Sequence, residues 1–188
     1  MSNTEKKLQE ATYFLKRMLE THNIPFEFEC NLQAFISFAR SITFVMQKEH
    51  SKKQDFSKWY DEKQEEMKGD EMLNFFNEAR ITIIHKKPLD VGSIANIKHI
   101  FVKSVPKGWG FAITGKGEVV WITPSGEQVH AYEFDDQVER IYLFDNPPKS
   151  FLGSNLQDIS VVTLCRLYLG YLSRLVKEAS EKFEGNKQ

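Results

Sequence analysis

The stretch Asn31-Leu32-Gln33-Ala34-Phe35-Ile36-Ser37-Phe38-Ala39-Arg40-Ser41-Ile42-Thr43-Phe44-Val45-Met46 decides the fold. Leu32, Phe35, Ile36, Ala39, Ile42, Thr43 and Met46 recur at steps of three and four, the spacing of one helix face. Phe38, Phe44 and Val45 widen the apolar surface beyond that stripe. A helix apolar over so much of its circumference is central to a bundle, or turns part of itself to another subunit.

Outward from this helix the pattern stays helical for the first ninety residues. Upstream, Leu8, Ala11, Leu15, Met18 and Leu19 repeat at helical spacing, with Thr4 as the expected cap and Pro25 limiting the far end. Downstream, the charged run His50 to Gln54 reads as a loop. Phe56, Trp59, Tyr60 and Met67 mark a shorter helix, with Asp55 as N-cap and Gly69 at its end. Asp70 caps a further helix carrying Met72, Leu73, Phe75, Phe76, Ala79 and Ile83, and Pro88 stops it.

The composition then changes. From about Asp90 to Pro148 the chain is rich in β-branched and aromatic residues, glycine and proline. Ile97 to Val105 reads as a strand. Gly110 to Thr114 and Glu118 to Thr123 read as a hairpin around Gly115-Lys116-Gly117, and Gln128 to Phe134 and Arg140 to Phe144 as two more strands. A long helix follows from about Leu156 to Phe183, too apolar to stand alone, so it returns to the bundle. The expected fold is mainly α: an antiparallel helical bundle formed by residues 1–89 and 154–188, with a small antiparallel β-sheet inserted at 90–153, before the last helix.

Composition bounds the function. The chain has 188 residues, 25 Lys plus Arg and 26 Asp plus Glu, a net charge of −1. That balance excludes a strongly basic nucleic-acid coat protein and a polyacidic tail protein. At 41% hydrophobic residues the chain can bury a core and is not a disordered one. Cys30 and Cys165 are too few for a disulfide framework or a four-cysteine zinc site, and read as two buried thiols in a reducing cytosol. The polar N-terminus carries no signal-peptide core, and Ile159 to Val176 is interrupted by Arg166 and Arg174. The expectation is a cytoplasmic protein with no membrane span.

The catalytic search is largely negative: no Gly-x-Ser-x-Gly, His-Glu-x-x-His, Walker loop or Gly-x-Gly-x-x-Gly occurs. Gly115-Lys116-Gly117 reads as a hairpin turn rather than a phosphate loop, and Asp135-Asp136 as a solvated turn. None of His22, His50, His85, His99 and His130 forms a close metal-ligand pair, although His99 and His130 lie on two expected strands. No metal and no cofactor are expected.

The most informative constellation is Arg80-Ile81-Thr82-Ile83-Ile84-His85. An arginine can stabilise a phosphate as its charge grows, and a histidine can move a proton near neutral pH. Together they suit metal-free RNA cleavage through the 2′-hydroxyl. Positions five apart point about 140° apart on a helix, so a site needs two copies facing across a symmetric dimer. In the blander reading Arg80 pairs with a carboxylate and His85 caps the helix C-terminus.

The helix Asn31 to Phe44, the run Phe56-Ser57-Lys58-Trp59-Tyr60, and Phe75-Phe76-Asn77-Glu78-Ala79-Arg80 leading to His85 resemble bacterial members of the HEPN superfamily. The resemblance covers residues 4–89 and 154–183 and leaves the sheet as a lineage-specific insert. It implies a homodimer with a composite metal-independent endoribonuclease site at the interface, Arg80 and His85 being catalytic. Active members carry Asn, Asp or His after the arginine, whereas Ile81 stands here. The alternative implied is therefore a noncatalytic module that binds a nucleotide, RNA or a protein partner. Thr82, two residues past Arg80, and Arg40, which can add positive charge near the same region from the second helix, are the further binding candidates. Arg166 and Arg174 share one side of the last helix and read mainly as solvated heads. Phe56, Trp59 and Tyr60 read as core aromatics before base-stacking ones.

Overall fold

Ser2 and Glu5 start the first helix in the computed structural model. The Ser2 hydroxyl accepts the Glu5 N–H at 3.1 Å and Glu5 accepts the Ser2 N–H at 2.7 Å, a reciprocal capping box. Helix α1 runs Asn3–Glu20. Thr4, the cap expected from sequence, is instead buried inside the first turn, where its hydroxyl donates to Glu49 Oε2 at 2.6 Å. The structure describes residues 1–85, 91–97, 108–114, 119–130, 138–157 and 159–185.

Helix α2 spans Pro25–His50. Pro25 does more than limit the preceding helix: it opens α2, where its missing N–H costs nothing. The two helices run antiparallel. The N–H groups of Asn3 and Thr4 donate to Glu49 near the end of α2, while Asn31 near its start donates to Thr21 after α1. Phe28, Phe35, Ile36, Ala39 and Ile42 are fully buried, as the central stripe requires.

Helix α3 is Phe56–Gly69 and α4 is Glu71–His85. Asp55 does occupy the N-cap position of α3, but in a left-handed conformation and without a side-chain cap bond. Asp70 caps α4 as expected, its Oδ1 accepting the Leu73 N–H at 3.0 Å. Pro88, the expected stop, lies outside the described residues. Helix α5, Val161–Phe183, starts later than the sequence pattern suggests because Ser160 caps it through the Thr163 N–H. Its buried face, including Leu164, Leu172 and Ala179, packs on α1 and α2. Trp59 of α3 donates its indole N–H to Glu178 of α5 at 2.9 Å.

The strands lie between α4 and α5: β1 Val91–Ile97, β2 Gly110–Ile113, β3 Val119–Ile122, β4 Gln128–His130, β5 Val138–Phe144, β6 Ser150–Phe151 and β7 Ser154–Asn155. All the pairings are antiparallel: β1 with β5 from Val91↔Phe144 to Ile97↔Val138, β2 with β3 with β4, and β6 with β7. The hairpin β2–β3 matches the sequence expectation. The first strand does not: it is placed at 91–97, and most of the expected strand Ile97 to Val105 lies outside the described residues, as do Gly115-Lys116-Gly117, Asp135-Asp136 and His99. The chain is mainly helical with a small antiparallel sheet before the last helix.

Strand β5 is fastened to the bundle. The Tyr142 ring stacks on Phe28 of α2 with centroids 3.6 Å apart, and its hydroxyl donates to the His22 carbonyl at 2.9 Å. Phe144 meets Phe75 of α4 edge-on. The β6–β7 turn places Leu152 and Gly153 at positive φ, 48° and 77°, as a tight primed hairpin requires. The strained Leu152 is held there by its N–H bond to Asp70 Oδ2 at 2.7 Å.

Candidate functional site

Two helix faces build the site. On α2, Arg40, Thr43 and Phe44 are three and four residues apart; on α4, Asn74, Asn77 and Arg80 follow at steps of three. Where α2 packs on α4, the Arg40 guanidinium donates through Nε to Asn77 Oδ1 at 3.0 Å and through Nη1 to the Thr43 hydroxyl. The same guanidinium lies over the Phe44 ring, 4.6 Å from its centroid. Arg80 approaches the same ring at 5.6 Å. Phe44 is 47% exposed, so two cations converge on an aromatic ring open to solvent.

Arg40 also borders a cleft of about 150 Å³ lined by Lys68, Asn74, Asn77, Gln64 and Tyr60. Tyr168 forms part of its wall, stacked on Phe76 at 4.3 Å. Burial pushes the Tyr168 phenol up, opposed by the Arg40 charge, so the phenol stays neutral and leaves the guanidinium uncompensated. Among the described residues neither Arg40 nor Arg80 has a carboxylate within ion-pair distance. The expected carboxylate partner for Arg80 is thus replaced by an aromatic face.

The other expected residues are distributed unevenly. Thr82 is half-buried on α4. His85 is the last residue of α4, and its side chain lies outside the described residues. Arg166 and Arg174 are exposed on α5. Phe56, Trp59 and Tyr60 are core residues, clustered with His50 and Phe183. Cys165 is buried as expected but Cys30 is exposed on α2, because it falls off the buried stripe; both are free thiols. Among the described residues no three His, Cys, Asp or Glu side chains cluster as metal ligands, and no helix is long and apolar enough to cross a membrane. Lys68, Asn74 and Asn77 were missed by sequence reasoning, and only the step of three between the asparagines hints at a shared polar face.

Comparison with known proteins revises the family. The profile of the bacteriophage lambda protein ea47 family matches residues 1–156. Protein ea47 of Escherichia phage lambda is 29% identical over 92 residues, which is 48% of this chain and 22% of the phage protein. The chain thus matches less than a quarter of that relative's length. No solved structure matches. The match runs through α1–α4 and the strands without stopping at them, and no HEPN family is found. The HEPN resemblance is therefore overturned, and with it the HEPN ribonuclease assignment. An apolar central helix and an Arg–His pair near a helix end are features that any amphipathic bundle can carry. The chain belongs to the bacteriophage lambda ea47 protein family.

Proposed function

We propose that this chain is a noncatalytic nucleotide-binding module, its ligand held where α2, α3 and α4 meet. The observation that carries the reading is the convergence of Arg40 and Arg80 on exposed Phe44, with no carboxylate partner for either among the described residues. A phosphate matches the planar donors of the guanidinium of Arg40, with Lys68, paired with Glu65 at 2.6 Å, as a second cation lining the cleft. Asn74 and Asn77 supply neutral donors in the cleft, and the exposed Phe44 ring beside Arg40, outside the cleft lining, suits a base. The proposal includes a cytoplasmic setting, which the free thiols Cys30 and Cys165 support. The net charge of −1 suits a local anion site rather than general coating of nucleic acid.

Calorimetric titration of the full chain with ATP, AMP and adenosine tests this. ATP binds tightest and adenosine weakest if the phosphates lead. Arg40→Ala weakens ATP by about tenfold, the worth of one charge-assisted hydrogen bond. Arg80→Ala, a change at the rim, weakens it by roughly two- to fivefold. Absence of heat with all three ligands refutes the reading. Cleavage of an RNA oligonucleotide in EDTA, abolished by Arg80→Ala, refutes its noncatalytic part.

A further inference from the structure

Leu73 of α4 separates two clefts of opposite character. One is the Arg40 cleft. The other, about 320 Å³, is lined by Glu66, Gly69, Asp70, Leu73, Leu152 and Tyr171. It lies where the end of α3, the start of α4, the β6–β7 turn and α5 meet. Among the described residues no Lys or Arg lines it.

Its polar groups are unequally engaged. Asp70 is fixed by two backbone N–H bonds, from Leu73 and Leu152, and contributes its negative charge from that rigid position. Glu66 is engaged by Lys63 through Oε2 at 3.2 Å, while Lys63 also reaches Glu178 at 3.4 Å. Tyr171 is only 9% exposed, yet among the described residues its shielded hydroxyl has no hydrogen-bond partner. A buried hydroxyl left unpaired is costly, and a wall of a cleft is where a ligand can satisfy it. Burial, with the Glu66, Asp70 and Glu178 carboxylates and Tyr60, pushes the Tyr171 phenol up to about 12. It is therefore a neutral hydroxyl at physiological pH, its oxygen set among negative charges.

We propose that this cleft binds an organic ammonium group on an aliphatic stem, the chemistry of alkylamines and polyamines. The ammonium donates to the Glu66 carboxylate and to the Tyr171 hydroxyl oxygen, with Asp70 adding attraction. Leu73 and Leu152 cover the methylene stem, an arrangement that long cationic side chains themselves adopt on proteins. A hard metal ion fits poorly: it demands several oxygen ligands, and both Asp70 oxygens are already bonded to backbone. The site shares no charged group with the nucleotide cleft, so either reading can fail alone.

The test is a titration of the full chain with putrescine, read by calorimetry and by thermal shift, with 1-butanol as the uncharged control. Putrescine binds saturably in the millimolar range or tighter, and butanol does not. Tyr171→Phe removes the unpaired hydroxyl, so the variant folds; it loses affinity several-fold. Glu66→Gln loses roughly tenfold, the effect of one charged partner. Glu62→Gln, an exposed carboxylate of the same helix, leaves binding unchanged. No saturable putrescine binding, or equal binding by all three variants, overturns the proposal.

Discussion

Glu49 shows how much one side chain can organise. Its carboxylate accepts the Thr4 hydroxyl and the N–H groups of Asn3 and Thr4, satisfying donors that the first turn of a helix leaves open. Burial alone pushes this carboxyl up. The bonds from Thr4 and Asn3, with the neighbouring His50, outweigh burial and hold it below the ordinary glutamate range. A depressed folded pKa stabilises the native state above the unfolded pKa, and the gain is lost as pH falls through the folded value. Glu49→Gln should therefore cost about 1–3 kcal/mol at pH 7, and the gap between variant and wild type should close below about pH 4. Thermal midpoints measured from pH 7 to pH 3 check it; a gap constant with pH contradicts it. The Ser2–Glu5 capping box was open to a reader of the sequence, since Ser-x-x-Glu precedes the first apolar repeat. The arrival of Glu49 beneath Thr4 was not, because it depends on how two helices pack.

At the scale of elements, β5 is bound to α2 by the Phe28–Tyr142 stack and to α4 by the Phe144–Phe75 contact. Phe28→Ala should cost about 3–5 kcal/mol, the range for a deleted core aromatic. Tyr142→Phe keeps the stack on Phe28 and removes the hydrogen bond to His22, at a cost of about 1 kcal/mol. Equal losses in chemical denaturation would mean that the stack does not fasten the strand. The helices were legible because Leu32, Phe35, Ile36 and Ala39 repeat the period of their own element. Strand β1 was less so. Gly92, Ser93 and Ala95 are weak strand formers, and the pairing that holds them comes from Val138–Phe144, more than forty residues later.

For the whole molecule, the two arginines matter because they belong to one chain. The sequence-based reading looked for a second cation across a homodimer axis. Arg40 was also expected to add charge near Arg80, and packing of α2 on α4 brings the two, forty residues apart in sequence, to one ring, Phe44. That Arg40 adds charge near Arg80 was legible, but their convergence on the Phe44 ring follows from tertiary packing that no local motif encodes. The proposed nucleotide site is therefore complete in one copy. Nucleotide affinity should be independent of protein concentration across any self-association, and light scattering alongside calorimetry measures both. Affinity that rises with the fraction of dimer would assign part of the site to a second copy.

The late position of α5 has a consequence for synthesis. Leu164, Leu172 and Ala179 cover faces of α1 and α2 that are made more than a hundred residues earlier. Until Val161–Phe183 leaves the ribosome, a growing chain keeps those apolar faces uncovered, and every strand must be translated during that interval. Chains stalled before α5 therefore expose apolar faces of α1 and α2 of the kind that chaperones bind.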